Sequence, residues 1–543
     1  MNHKLFLEVN QQRNHLKFEF QMDVNYPSNK FDFGAIQIYI EGSVYNLSNE
    51  QLSSEIEDWV THSNGDVQQF YQLTQKWDGD YNWFIENKLD QTIAFGNDYF
   101  GRLPLYYSVT EQQVVISRSI KQCVEVISPS INRYSLASTL LFGFAIDNQT
   151  LYESILKFPR NSYAVIELNL NKELITIVRG APFDLTHQAN EVDVDLLIQY
   201  LSESLLNRIE HYPSSALALS GGLDSRLIAS LLKLMHKEIP HYTFNYLDWY
   251  NKDVKSAHLI STQLGIKNHS FITMNDTKLN EQVEQLFEIK EGQNFLGMAF
   301  MLPFLAHYRK HKLTMLTGDG GDKTLESVFP IKTLSSSEDF ISYLLIHNSI
   351  INLKDVSKIT NLSASEIRSY IMRYIQTYPD SSWNNKYARF IIQERGLNWL
   401  VEGEDRNRYF SWTLSPFYSK VFFEYALSIS PHHKRNGNLF KQLFENLPGD
   451  LNQVDNPNWN VAPGNLSAMK FLELKKKIKL QMPFLKRKNK VSLTVPEWIA
   501  HFDISPVELT SHHPFNINAL ADLKCTENQF WYVYTVCRMV QNC

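Results

Sequence analysis

Six consecutive residues carry the groups that a pyrophosphate-binding loop needs, Ser220-Gly221-Gly222-Leu223-Asp224-Ser225. The two glycines allow a sharp turn with backbone N–H groups directed at phosphate oxygens, and the two serines add hydroxyl donors. The Gly-Lys-Ser/Thr ending of kinase-type phosphate loops is absent, whereas the acidic Asp224 suits a Mg²⁺ ion that shields phosphates. The segment therefore predicts a site for Mg²⁺ and pyrophosphate, with an ordinary glycine turn as the alternative.

A second acidic glycine loop follows later in the chain, Thr317-Gly318-Asp319-Gly320-Gly321-Asp322. Each loop comes directly after a short apolar run, residues 216–219 and 313–316, that is typical of a buried parallel strand. Because parallel strands end at the same edge of a sheet, we expect the loops to meet there and Asp224 and Asp322 to share the Mg²⁺. Taken alone, the second loop is equally consistent with a surface turn or a calcium-type loop.

Alternating strands and helices are predicted around these loops. Apolar residues at helical spacing follow Asp193, whose side chain suits an N-cap, and a second helix is expected from Arg226 onward with its positive end at the first loop. Residues 241–245 and 269–273 favour strands, and residues 254–264 favour a helix. Strands that alternate with helices in this way predict an α/β domain with a doubly wound parallel sheet.

The chain before this region has a different pattern. Period-two alternation of apolar and polar residues, as in residues 16–20, 36–40 and 164–168, predicts a β-rich N-terminal domain. We place this domain at residues 1–185 and the α/β domain, with a helical C-terminal part, at residues 190–543. The boundary is expected between Pro182 and Asp193, where the helical pattern begins.

These loops and several further segments resemble the asparagine synthetase family of ATP-dependent amide-forming enzymes, which includes β-lactam synthetase and lasso-peptide cyclases. The further segments occur in the family's order and are Asn97 to Tyr107, Thr150 to Pro159, Glu404-Asp405-Arg406 and Ser415-Pro416-Phe417. The resemblance implies an N-terminal glutaminase-like (Ntn-type) domain and a C-terminal ATP-pyrophosphatase domain. It also implies carboxylate adenylation, in which pyrophosphate leaves ATP and an amine then displaces AMP.

The resemblance assigns roles to individual residues. ATP binding is implied for Leu219, Ser220, Gly221, Gly222, Asp224, Ser225, Phe244, Thr317 and Gly318, and Mg²⁺ binding for Asp224 and Asp322. Asp319 takes the position of a residue tied to acyl transfer, with a structural loop carboxylate as the alternative. The family lysine that follows a Leu-Pro element is missing, since no Lys or Arg lies between Lys441 and Lys470. Lys323 is the candidate substitute, and a solvated surface lysine is the alternative.

The N-terminal domain departs from the family in one respect. The family's glutaminase uses a cysteine that becomes the first residue, and this chain has Asn2, whereas its first cysteine is Cys123. We therefore expect an inactive domain that serves as a scaffold, as in β-lactam synthetase and the lasso cyclases. The attacking amine would then belong to the substrate.

Composition excludes several other classes of protein. The 543 residues are 43% hydrophobic and 20% charged, with a net charge of -6, which is ordinary for a globular protein and gives no general attraction to nucleic acid. No apolar run is long enough for a membrane span, so a cytoplasmic protein is expected. The four cysteines lack metal-type spacing and favour neither zinc nor disulfides.

The sequence thus predicts an ATP- and Mg²⁺-dependent amide ligase that joins a small-molecule or peptide carboxylate to an amine. A peptide or natural-product cyclase and a non-catalytic ATP-binding regulator remain the alternatives. A precursor peptide and a homodimer remain open as partners. The basic stretch Lys470 to Lys490 is typical of solvated helix faces, although an acidic partner is also consistent with it.

Overall fold

Two antiparallel sheets precede one parallel sheet along the chain, and helices dominate after it. The structure is a computed structural model that describes residues 4–10, 15–22, 26–63, 65–111, 113–167, 175–185, 191–246, 251–274, 278–481, 491–507 and 515–541. The expected α/β class, with a β-rich first part and a helical last part, is confirmed.

The strands of the antiparallel part belong to two sheets. The first sheet has the order β2-β1-β8-β7-β9 and the second β11-β10-β6-β5-β4-β3. Their bounds are β1 Lys4–Asn10, β2 His15–Gln21, β3 Ser28–Phe33, β4 Ile36–Val44, β5 Gly79–Asn87, β6 Thr92–Asn97, β7 Tyr106–Val109, β8 Gln113–Ser117, β9 Leu156–Lys157, β10 Ser162–Glu167 and β11 Ile175–Arg179.

The remaining described strands form the parallel sheet, whose order is β14-β13-β12-β15-β16. Every neighbouring pair in it is parallel. Their bounds are β12 Ser215–Ala218, β13 His241–Tyr246, β14 His269–Met274, β15 Thr314–Leu316 and β16 Thr413–Leu414.

Helices cover both kinds of sheet. The α-helices are α1 Asn49–Ser63, α2 Val67–Thr74, α3 Ile120–Ile127, α4 Arg133–Phe142, α5 Val194–His211, α6 Leu223–Leu234, α7 Asn251–Leu264, α8 Leu279–Lys290, α9 Leu302–Lys310, α10 Gly321–Thr324, α11 Ser337–Asn348, α12 Leu353–Thr360, α13 Ala364–Gln376, α14 Trp383–Phe390, α15 Val401–Arg408, α16 Lys420–Ser428, α17 Pro431–Lys434, α18 Asn438–Glu445, α19 Leu466–Gln481, α20 Val495–Phe502, α21 Ile517–Ala521 and α22 Glu527–Gln541. The 3-10 segments are Leu296–Met301, Pro416–Tyr418, Arg435–Gly437 and Leu451–Gln453, and Ile391–Leu400 is π-helical.

The antiparallel sheets pack face to face over an apolar core. Leu7 and Ile116 of the first sheet share this core with Phe84 and Phe95 of the second. Successive side chains of a strand point to opposite faces, so each sheet has a second apolar face as well. Helices α1 and α2 cover that face of the second sheet, and α3 and α4 cover that of the first.

Most of the predicted elements are confirmed, with small shifts at their ends. Asp193 caps α5 by accepting a hydrogen bond from the Leu196 N–H at 2.9 Å. Helix α6 begins at Leu223 rather than near Arg226, because Gly222 already takes the N-cap position. Asp224 therefore lies in the first turn of the helix and not in the loop before it.

Two predictions fall partly outside the described residues. Lys470 and Lys475 are exposed on α19, as expected of a solvated basic helix, whereas residues 482–490 lie outside the described part. Cys123, Cys525 and Cys537 are free thiols, and Cys543 lies outside the described part.

Candidate functional site

The two glycine loops leave neighbouring strands at one edge of the parallel sheet. Strand β12 pairs with β13 on one side and with β15 on the other, and all three run parallel. The chain proceeds from β12 outward through β13 and β14 and then returns to β15 on the opposite side. This reversal is the topological switch point at which open α/β sheets bind ligands. The predicted meeting of the two loops is confirmed.

Internal hydrogen bonds fix the first loop. The Ser220 N–H donates to Ser225 Oγ at 3.0 Å, and the Gly222 N–H donates to Ser220 Oγ at 3.1 Å. The Gly221 N–H donates to a carboxylate oxygen of Asp253 at 2.7 Å. Gly222 is the N-cap of α6 and makes no side-chain hydrogen bond to the first turn, so the N-cap itself leaves the positive end of this helix open.

Arg226 of α6 also holds the first loop in place through hydrogen bonds, and sequence reasoning missed it. Its buried guanidinium donates to the Gly221 carbonyl at 2.9 Å and to the Leu451 and Val454 carbonyls at 3.0 and 2.8 Å. Desolvation lowers the pKa of Arg226 to about 10. The only sequence signal was an arginine in a largely apolar helix, which does not distinguish a buried loop contact from a surface residue.

The second loop touches the first through its glycines. A methyl group on Gly318 would come within 2.5 Å of the Ser225 nitrogen, and one on Gly321 within 2.4 Å of Asp224 Oδ1. Asp224 Oδ1 is buried and has no hydrogen-bond partner among the described residues. Burial, followed by repulsion from Asp322 and Glu326, raises the pKa of Asp224 well above its usual value. Such a carboxylate is suited to a cation.

Both glycine loops carry acidic side chains of the kind that binds a metal ion. Among the described residues, no group of three or more His, Cys, Asp or Glu side chains is arranged to hold one. Mg²⁺ in nucleotide sites uses one or two carboxylates together with phosphate oxygens, so Asp224 and Asp322 match that pattern. The Lys323 ammonium forms an ion pair with Asp322, and Lys323 is not among the residues that line the cavity described next.

A cavity of about 590 Å³ opens beside the two loops. Its lining combines loop residues, carboxylates, one arginine and several aromatic rings, among them Gly222, Asp224, Asp319, Asp322, Glu326, Glu404, Arg406, Phe295, Trp399, Trp459 and Tyr532. Asn456 and Asn458 also line it, in the stretch between Lys441 and Lys470 that contains no Lys or Arg. The cavity therefore brings phosphate-binding groups and a substrate-sized space together.

Asp319 lies at this cavity with a perturbed carboxyl group. The Asp319 side chain is exposed to the cavity, but the surrounding protein still desolvates it. This desolvation is the main cause that raises the pKa of its carboxyl group to about 6, and repulsion from Glu404 is the second cause. The Asp319 backbone is held on both sides, because its N–H donates to Thr317 Oγ1 at 3.4 Å and its carbonyl accepts from Ser415. At neutral pH such a carboxylate is mostly ionised and poised to accept a proton.

Two further residues predicted to bind ATP, Leu219 and Phe244, contact other protein groups in the structure. The Leu219 N–H donates to the Tyr242 carbonyl at 2.9 Å, and the Leu219 carbonyl accepts from Thr243 Oγ1 at 2.7 Å. The Phe244 ring packs against Phe300 and Phe304 at 5.5 and 5.9 Å between ring centroids. Their predicted contacts to a nucleotide stay predictions.

A buried ion-pair network joins the N-terminal sheets to α15, and sequence reasoning missed its extent. Arg102, in the segment that matches the family's N-terminal domain, pairs with Glu404 and Asp80. The Tyr106 hydroxyl of the same segment donates to Glu402 at 2.8 Å. Further pairs in this network are Arg118 with Glu41 and Asp405, Lys290 with Glu402 and Asp405, and Arg408 with Asp80. The N-terminal part thus positions α15, which lines the cavity.

Comparison with known families matches both halves of the chain. The asparagine synthase model matches residues 197–389, and the glutamine amidotransferase domain model matches residues 28–174. The chain thus carries the two kinds of domain that the asparagine synthase and glutamine amidotransferase models describe. Asparagine synthetase [glutamine-hydrolyzing] 1 and 2 of Bacillus subtilis (strain 168) are 22% identical over 300 residues and 24% identical over 324 residues. Each alignment covers 53% of this chain, and 46% and 42% of the two relatives, so the chain spans less than half of their length.

Solved structures give a weaker likeness. NMN synthetase from Francisella tularensis is 16% identical, with a TM-score of 0.20, over 37% of this chain and 93% of that chain. NH3-dependent NAD synthetase from Campylobacter jejuni subsp. jejuni NCTC 11168 is 15% identical, with a TM-score of 0.21, over 38% of this chain and 97% of that chain. TM-scores this low support no conclusion about function. Separately, no described helix combines the length and hydropathy needed to cross a membrane.

Proposed function

We propose that this chain is an ATP-dependent carbon–nitrogen ligase of the asparagine synthetase family that activates a carboxylate by adenylation. The observation that carries the proposal is the contact of the two glycine loops at the switch point, where the buried Asp224 Oδ1 has no hydrogen-bond partner among the described residues. The first turn of α6, whose N-cap makes no side-chain hydrogen bond, supplies backbone donors for phosphate oxygens at the same place, beside the Ser220 and Ser225 hydroxyls. The match to the asparagine synthase model supports the same reaction class.

In the proposed reaction a carboxylate oxygen bonds to the α-phosphorus of ATP as the bond to the bridging oxygen breaks. Pyrophosphate leaves with the electron pair, and the negative charge on it grows. The positive end of α6 and the hydroxyls of Ser220 and Ser225 stabilise that charge where it develops. Bound Mg²⁺, held by Asp224 and Asp322, would add electrostatic shielding of the phosphates.

The second half of the reaction needs a base. An amine attacks the acyl carbon of the adenylate, AMP leaves, and the amine gives up a proton. Asp319 is the proposed acceptor of that proton, since it lies at the cavity and its pKa of about 6 keeps it ionised at neutral pH. Lys323 is the proposed replacement for the missing family lysine, acting from its ion pair with Asp322.

We propose further that the chain does not hydrolyse glutamine. Residues 1–3, and with them Asn2, lie outside the described part, and Cys123 is the first cysteine of the sequence. Cys123 is buried, and desolvation raises the pKa of its thiol to about 12, which removes the thiolate needed for attack. Purified protein mixed with glutamine should release no glutamate above a protein-free blank. Steady release without ATP would contradict this.

Nucleotide binding is the first test of the ligase. Calorimetry should detect Mg·ATP binding to the full chain and lose it in Asp224→Ala, while Asp253→Asn, which keeps an oxygen acceptor for the Gly221 N–H, should retain it. Unchanged affinity in Asp224→Ala would refute the assignment of the loop.

A non-catalytic ATP-binding regulator is the second candidate, favoured by the ion pair between Lys323 and Asp322. This pair neutralises one proposed metal ligand, which would weaken turnover without preventing nucleotide binding. Tight ATP binding without any acid-dependent exchange of pyrophosphate into ATP would support the regulator.

A peptide or natural-product cyclase is a more specific version of the proposed ligase, in which the substrate itself supplies the amine.

A further inference from the structure

One wall of the cavity beside the phosphate loops is aromatic. The rings of Phe295 and Tyr532 stack with 4.0 Å between their centroids, and Trp399 lies 6.2 Å from Tyr532. All three side chains line the cavity and are only half-buried. Large aromatic surfaces left partly uncovered inside a cavity are suited to an apolar ligand.

Helix α15 contributes a cationic side chain, Arg406, and an unfilled space beside Gly403 to the same cavity. Gly403, Arg406 and Asn407 lie on one face of the helix at spacings of three and four residues. A methyl group on Gly403 would meet only the Asn294 side-chain nitrogen, at 3.6 Å, so the cavity extends to the helix backbone there. The glycine thus leaves room beside the arginine.

The buried Arg406 guanidinium has neutral hydrogen-bond partners. It donates to Asn407 Oδ1 at 2.8 and 3.1 Å and to Asn294 Oδ1 at 3.2 Å. Within the described ranges no carboxylate lies at ion-pairing distance from it, in contrast to Arg102 and Arg118. Burial outweighs the attraction of Asp319 and Glu404 and lowers the pKa of Arg406 to about 10, so an anionic ligand that pairs directly with the guanidinium would stabilise its charge.

We propose that the acid substrate carries an aromatic or equally bulky apolar group, with its carboxylate on Arg406 and its apolar body against Phe295, Trp399 and Tyr532. This inference rests on the proposed ligase function and narrows its substrate class. Aspartate fits poorly for two reasons. It offers no apolar surface to the aromatic wall, and its second carboxylate would face a cavity already lined by acidic side chains, Asp224, Asp319, Asp322, Glu326 and Glu404.

The apolar contact is tested with a matched pair of ligands, 3-phenylpropanoate and propanoate, which differ only by the phenyl ring. Calorimetry with the full chain should give at least tenfold tighter binding of 3-phenylpropanoate. Tyr532→Ala and Gly403→Leu should each weaken its binding at least tenfold, the first by removing the wall and the second by filling the space. Tyr200→Ala is the control, because this half-buried tyrosine packs on Tyr425 outside the cavity.

The charge contact is tested at Arg406. Arg406→Gln should abolish binding of 3-phenylpropanoate and Arg406→Lys should retain part of it, while both bind Mg·ATP as tightly as the unaltered chain. Loss of ATP binding together with acid binding would instead place an ATP phosphate on this arginine and overturn the proposal. Melting temperatures of the variants, compared with that of the unaltered chain, establish that each is folded.

Exchange of labelled pyrophosphate into ATP separates this inference from the ligase itself. Exchange driven by aspartate and not by 3-phenylpropanoate would overturn the aromatic substrate and leave the ligase standing. Arg406-dependent binding of 3-phenylpropanoate, without exchange for any acid, would support the recognition of an aromatic acid and overturn the ligase. Equal binding of 3-phenylpropanoate and propanoate would overturn the aromatic wall whatever the exchange result.

Discussion

Gly318→Ala tests whether the contact between the two loops is needed for nucleotide binding. The added methyl group would lie 2.5 Å from the Ser225 nitrogen and 2.8 Å from the Asp224 carbonyl carbon. The shorter distance is about 0.9 Å less than the 3.4 Å at which ordinary contacts begin, and both neighbours are backbone atoms that cannot rotate away. The two loops must therefore separate.

The strain sets the size of the expected effect. Overpacking of this kind costs roughly 1–3 kcal/mol. The free protein relieves this strain by separating its loops, but ATP binding brings the loops together again, so the strain is subtracted from the binding free energy. We expect the Kd for Mg·ATP to rise about fivefold to 150-fold, since each 1.4 kcal/mol is tenfold in affinity. Calorimetry at constant Mg²⁺ concentration measures this directly.

A clash of similar size elsewhere provides the control. In Gly96→Ala the new methyl group would lie 2.4 Å from the Trp83 ring, within the N-terminal sheets and away from both loops. This variant should lose thermal stability and keep its ATP affinity. If Gly318→Ala binds ATP as tightly as the unaltered chain, or if Gly96→Ala weakens binding equally, the reasoning from loop contact is wrong.

Two further variants test the buried charges. Arg118→Met leaves Glu41 and Asp405 buried without their partner and should lower the free energy of unfolding by roughly 3–5 kcal/mol in urea titrations, whereas a loss below about 1 kcal/mol would contradict a tight network. Burial lowers the pKa of Lys434 to about 7, so its folded form binds fewer protons than the unfolded chain between about pH 7 and 10.5. Stability contributed by this group therefore rises with pH across that window, and Lys434→Met should raise the melting temperature most at pH 7 and least near pH 10. A pH-independent difference would refute the assignment.

The fold was largely predictable because it depends on local patterns. Period-two alternation identified strands such as β4, and Asp193 before an apolar helical stripe located the start of α5. The meeting of the loops followed from the rule that parallel strands end at one edge, which needs only the order of strands and loops. Helix α6 began earlier than expected because a glycine N-cap carries no side-chain signal.

The cavity and the buried charges were not predictable in the same way. Arg406 and Tyr532 are far apart in the sequence, and only tertiary packing brings them to one cavity. Arg102 and Glu404 form a pair across 302 positions, and neither residue type indicates in advance that it will be buried. Contacts of this kind depend on tertiary packing, which the spacing of residues along a single sequence does not reveal.

Exchange of labelled pyrophosphate into ATP is the most direct test of carboxylate adenylation at Asp224 and Asp322. The assay uses the full chain with Mg·ATP, first with 3-phenylpropanoate and then with aspartate and other acids, and no amine. We expect acid-dependent exchange in the unaltered chain and its loss in Asp224→Asn and in Asp322→Asn, because one carboxylate alone leaves the pyrophosphate charge poorly shielded. Exchange that persists in both variants, or tight ATP binding without exchange for any acid, would contradict the account.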